Sequence, residues 1–158
     1  MNTSQKGTVG ETKTIYEISK LGLPIFREIS NTSVADIITI VDNRCLKIQC
    51  KTVSVNKHDP NTFAIPLVSR TSGKAYTKDD FDILAVFVPD EDLLCYLNWN
   101  DIKNVQTITL RIRPGKVKSK TTRYANLYED FLKTTYALEE QLGVRRSVTP
   151  EVAGSTPV

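Results

Sequence analysis

Residues 34–53 carry an apolar run broken by a single carboxylate, then a turn and an alternating return. Val34-Ala35-Asp36-Ile37-Ile38-Thr39-Ile40-Val41 reads as a buried β-strand, Asp42-Asn43 as a turn, and Arg44-Cys45-Leu46-Lys47-Ile48-Gln49-Cys50-Lys51-Thr52-Val53 as the returning strand. A two-residue hairpin sets Asp36 opposite Gln49, with Lys51 two residues along on the same face. The other face collects Ala35, Ile37, Thr39, Val41, Leu46, Ile48 and Cys50, which is a core. An acid, an amide and an amine thus share one side of a hairpin whose back is apolar.

The same patterning predicts the remaining elements. Thr8 to Leu21 reads as a helix capped by Thr8 and stopped by Gly22 and Pro24. Glu11 falls on its stripe with Ile15 and Ile18, facing inward; the alternative is an acid placed favourably near the helix N-terminus. Phe63 to Val68 reads as a strand whose Pro66 suggests an edge or a bulge. Phe81 to Val88 is a nearly continuous apolar strand, with Leu93 to Leu97 as its antiparallel neighbour across the Pro89-Asp90-Glu91-Asp92 turn. Thr107 to Arg113 alternates until Pro114-Gly115, and an amphipathic helix is expected from about Thr122 to Leu142. Residues 143–158 lack periodicity and read as a disordered tail behind a single domain over 1–142. The fold class is α/β (α+β), a mixed sheet with flanking helices.

Composition adds limits. The 158 residues are 40% apolar, enough for one core, and no run is long enough to span a membrane. No secretory leader pattern opens the chain. Three cysteines without a CxxC pair argue against a zinc cluster and for reduced thiols in a cytoplasmic location. The single histidine, His58, sits in a loop and reads as solvated. Net charge is only +3, yet it is segregated: seven acids and no base lie between Asp79 and Asp101, then seven bases and no acid between Lys103 and Tyr124. Such a block attracts anions.

Glu11 on an early helix, Asp36 in the first long strand and Gln49-Cys50-Lys51 in the next form an ordered set. It resembles the PD-(D/E)XK nuclease superfamily, in the variant whose last motif reads (D/E/Q)-x-K. Gly10-Glu11, Ser33-Val34-Ala35-Asp36-Ile37, Ile48-Gln49-Cys50-Lys51-Thr52, Phe81-Asp82 and Thr107-Ile108-Thr109-Leu110-Arg111-Ile112-Arg113-Pro114 extend the likeness over most of residues 8–142. This long run resembles the small cyanobacterial homing endonucleases encoded in group I introns. Ala35 stands where the motif writes Pro, and Gln49 brings no negative charge.

The resemblance implies a restriction-endonuclease-like central mixed sheet and Mg²⁺-dependent hydrolysis of DNA phosphodiesters. Asp36 would be a direct ligand of the ion, with the Gln49 amide oxygen and the Cys50 carbonyl beside it. Glu11 would be an outer acid orienting a water, and Lys51 would position the nucleophile and offset transition-state charge. Double-stranded DNA is the implied partner, cut at a long pseudo-palindromic site in an intron-less tRNA gene. The competing functions are a Holliday-junction resolvase, a restriction enzyme, or a DNA-binding module with an inactive site.

Contacts to the DNA backbone are open to Arg27, Lys57, Arg70, Lys74, Arg111, Arg113, Lys116, Lys118, Lys120 and Arg123. Arg111 and Arg113 share one face of a strand and could enter a groove, with the Arg70–Lys74 loop as the second candidate. One site cuts one strand, so double-strand cleavage needs a homo-oligomer, at least a dimer. The resemblance implies a homotetramer.

Overall fold

A computed structural model of the chain describes residues 2–29, 32–68, 73–114 and 122–141. The helix α1 (Thr3–Lys20) leads into a short edge strand β1 (Ile25–Phe26), then β2 (Ile37–Val41) and β3 (Arg44–Thr52). β4 (Thr62–Pro66), β5 (Ile83–Val88), β6 (Leu93–Asn98), a one-turn helix α2 (Trp99–Ile102), β7 (Thr107–Arg111) and α3 (Phe131–Gln141) follow. Five strands form a mixed sheet in the order β1-β2-β3-β5-β6, and β4 pairs with β7 in a separate antiparallel ribbon.

The hairpin forms in the expected register. Ile37 pairs with Ile48 and Val41 with Arg44. Asp42 and Asn43 both take positive φ, 46° and 63°, as a turn twisted to match its strands requires. β5 joins β3 in parallel, and Asp82 fixes where that pairing begins: its N–H donates to Lys47 O and its carboxylate accepts from Lys47 N, at 2.9 and 2.8 Å. β6 returns antiparallel to β5 through a 3₁₀ turn over Pro89–Glu91, with Asp92 at φ 46°.

The sheet has a core on each face. Ile37, Ile48, Ile83 and Ala85 pack with Ile18 of α1 and with Phe131 and Leu138 of α3. Leu84, Val86, Cys95 and Leu97 pack on the opposite side with Phe63 and Ile65 of β4 and Ile108 and Leu110 of β7. All six residues of β5 are buried, because helices cover one face and the ribbon the other. Among the described residues no helix is long and apolar enough to cross a membrane.

Several boundaries differ from the sequence expectations. α1 begins at Thr3 rather than Thr8, since Asn2 and Gln5 exchange side-chain hydrogen bonds with each other's backbone at the N-terminus. β2 begins at Ile37, and β7 ends at Arg111 instead of Arg113. The final helix is shorter than the Thr122–Leu142 pattern: a 3₁₀ turn over Ala125–Tyr128 precedes it, and the Asp130 side chain caps the new start through Lys133 N (2.9 Å). β1 and α2 are too short to show a period and were not expected. Residues 143–158, expected as a tail, lie outside the described residues.

Candidate active site

The hairpin opens just before β2, and the chemistry-bearing residues gather at that opening. Asp36 N–H donates to Ile48 O (2.9 Å), carrying the ladder one step past the strand. Its carboxylate then turns toward β3, where Oδ2 accepts from the Cys50 backbone N–H (2.7 Å) and from Gln49 Nε2 (2.6 Å). The same Gln49 nitrogen donates to the Cys50 carbonyl at 3.0 Å. One donor atom therefore bridges two oxygens that face a common point.

Burial pushes the Asp36 carboxyl up to about 6, partly offset by the Cys50 N–H; the negative charge of Glu11 raises it and that of Arg27, being positive, lowers it. Glu11 and Arg27 are thus electrostatic neighbours of Asp36. They are also each other's partners, with Arg27 Nη2 and Glu11 Oε2 2.5 Å apart.

Glu11 reaches this place because α1 lies very close on the sheet. A Cβ on Gly10 would stand 2.2 Å from Thr52 Oγ1, so only glycine permits the approach. Buried Gly10, Thr14 and Ile18 form the line of closest contact, and Glu11 flanks it. With the helix starting at Thr3, Glu11 is two turns in, and no acid occupies the first turn. The helix-terminus explanation for Glu11 is overturned by that start.

Lys51 shares the Gln49 face of β3, the face that carries the ribbon. Its ammonium donates to Pro66 O (2.5 Å) and Val68 O (3.0 Å) and lies 4.9 Å from the centre of the Tyr76 ring. The geometry thus joins Asp36, Gln49 and Cys50 by direct contact and Glu11 by its field, while the Lys51 amine is turned toward the ribbon. Arg27 was expected only as a contact to the DNA backbone, and Tyr76 was not singled out from sequence. Arg27 follows a two-residue strand with no periodicity, and the place of Tyr76 depends on the path of the chain after β4.

Two of the expected DNA contacts, Arg111 and Arg113, are engaged within the chain. Arg111 Nη2 pairs with Asp59 Oδ2 (2.9 Å), and Arg113 grips both Glu91 oxygens at 2.7 and 3.4 Å. Lys74 is exposed, whereas Arg70, Lys116 and Lys118 lie outside the described residues. His58 is exposed, as expected.

The donor set fits a small hard cation. Among the described residues no group of three or more His, Cys, Asp or Glu could hold a metal. An ion here would rest on one carboxylate, one backbone carbonyl and one side-chain amide oxygen, a half-turn of the Gln49 amide exchanging its nitrogen for that oxygen. Mg²⁺ suits so sparse a set, because it keeps several waters and takes phosphate oxygens. The point now served by the Gln49 N–H group is where positive charge is already favoured.

The sequence profile of the PD-(D/E)XK endonuclease family matches residues 1–131. Protein 5.3 of Escherichia phage T7 is 29% identical over 115 residues, which is 71% of this chain and 93% of that protein. Among solved structures, the bacterial homing endonuclease I-Ssp6803I superposes with a TM-score of 0.68 at 17% identity, covering 93% of this chain and 100% of that one. The fold is therefore the restriction-endonuclease-like one that this homing enzyme also has.

Proposed function

Because the chain belongs to the PD-(D/E)XK endonuclease family, we propose that it is a Mg²⁺-dependent endonuclease of homing type. Its substrate on this reading is double-stranded DNA, cut at a long pseudo-palindromic site in an intron-less host gene, of the tRNA class that the sequence resemblance implies. The observation that carries it is the convergence of Asp36 Oδ2 and Cys50 O on the Gln49 amide, with Lys51 two residues further along the same face.

Asp36, the Cys50 carbonyl and the Gln49 amide oxygen would hold the ion. When bound, Mg²⁺ supplies Lewis acidity toward a phosphate oxygen and a more acidic water. Glu11, released from or shared with Arg27, orients a water beside Asp36 by accepting its hydrogen bond. Lys51 presents a compact positive charge to the phosphate as negative charge builds on it. Arg70, Lys74, Arg111, Arg113, Lys116 and Lys118 are the proposed DNA contacts. Arg111 and Arg113 must exchange carboxylates for phosphates to serve, so their net contribution is the difference between two partners.

A site that cuts one strand at a time calls for at least two copies of the chain related by symmetry, a tetramer by the same resemblance. Residues 1–142 are the nuclease domain on this reading, working in the cytoplasm, where DNA and Mg²⁺ meet. The test is a plasmid carrying the intron-less gene. Defined double-strand cuts with Mg²⁺ and none with EDTA are expected. Cutting of four-way junctions but not linear duplex would favour a resolvase. Binding without cutting, in Mg²⁺ and Mn²⁺ alike, would leave a DNA-binding module.

A further inference from the structure

Three neutral groups outside the proposed ion site lie against the Lys51 ammonium. Two are the Pro66 and Val68 carbonyls, at 2.5 and 3.0 Å, which alternate along the end of β4 and the residues after it. The third is the face of the Tyr76 ring, 4.9 Å from Nζ, within the range where an aromatic quadrupole attracts a cation.

Tyr76 is itself fixed. Its ring meets the edge of fully buried Phe81 at 5.0 Å and 75°, and Phe81 lies two residues ahead of β5. An isolated bridge between Val68 and Ala75 brings the two arms of this cradle together, so the second carbonyl and the ring are set by one piece of backbone pairing. A lysine side chain has four rotatable bonds and would otherwise spread its charge over many positions.

We propose that Tyr76 is a positioning residue: its ring, with the two carbonyls, holds the Lys51 charge at one place beside the phosphate path. The proposal rests on the nuclease reading above for its consequence, though the cradle itself does not. The proposal uses the ring face of Tyr76, which Tyr76→Phe keeps. Removing the face should lower turnover and leave DNA binding alone.

Two measurements test this. In ring-current NMR, the Lys51 ε-methylene protons should resonate upfield of an exposed lysine in the unmodified protein and in Tyr76→Phe, and return to the exposed position in Tyr76→Leu. In cleavage assays, Tyr76→Leu should lose about tenfold in kcat with KM within about twofold, while Tyr76→Phe cuts within about twofold of the unmodified protein. An unshifted methylene in the unmodified chain overturns the proposal without any variant having to fold. So does a folded Tyr76→Leu that cuts at full rate, or a Tyr76→Phe that loses as much as Tyr76→Leu. Lys51→Met separates the two layers: if it cuts as fast as the unmodified protein, the role given to Lys51 fails, whereas the methylene shift still reports on the cradle.

Discussion

Asp36 binds its proton more tightly in the folded chain than an unfolded aspartate does, titrating near 6 instead of 3.8, because it is largely withdrawn from water and faces Glu11. The stability this represents is fully present below about pH 4 and is lost as pH rises through about 6. Asp36→Asn, which keeps the shape and never ionises, should therefore raise unfolding free energy at pH 8 by about 1–2 kcal/mol, discounted for partial solvent access. Urea titrations should show that gain vanish at pH 3.5. The same surroundings predict that Glu11→Gln lowers the Asp36 pKa, since it removes a negative neighbour and leaves Arg27 in place; a carboxyl carbon NMR titration reads this directly. A proposed ligand that costs stability while ionised is what a site built to receive a cation entails.

The elements show how much of this was legible and why. The register of β2 and β3 followed from alternation and a two-residue turn, and it correctly placed Asp36 against Gln49. The start of α1 did not, because Thr8 and Asn2 are both good caps and only the reciprocal Asn2–Gln5 bonds select the earlier one. Pairing of β4 with β7 was invisible: the strands are over 40 residues apart (Thr62 pairs with Arg111), and nothing local encodes such partners. Consequently no local pattern foretold that Lys51 would find carbonyls and a ring beside the ribbon. Helix placement is the element-scale test. Gly10→Ala drives a methyl into Thr52 Oγ1, which is tied to Lys6 O at 2.7 Å, and should cost about 1–3 kcal/mol. Thr52→Ala in the same chain should recover part of that loss, giving clear non-additivity in a double-mutant cycle.

At the scale of the whole molecule, segregated charge is folded back on itself. The acidic stretch before Asp101 and the basic one after Lys103 meet at Glu91 and Arg113, so part of the basic block is neutralised before any DNA arrives. Glu91→Gln should accordingly tighten DNA binding several-fold at low salt, and Arg113→Ala should reduce the slope of log affinity against log salt by about one. Filter binding across a salt series measures both. Cleavage on this reading is performed by the group at the open end of the hairpin. The most direct measurement is single-turnover cutting of target DNA at saturating Mg²⁺ by the unmodified chain, Asp36→Ala and Lys51→Ala, with binding measured alongside. Both variants should bind DNA about as tightly as the unmodified chain and cut it at least a hundredfold more slowly, on the order of the loss for removing one charge-stabilising group. Cutting by both variants at the unmodified rate would contradict the assignment.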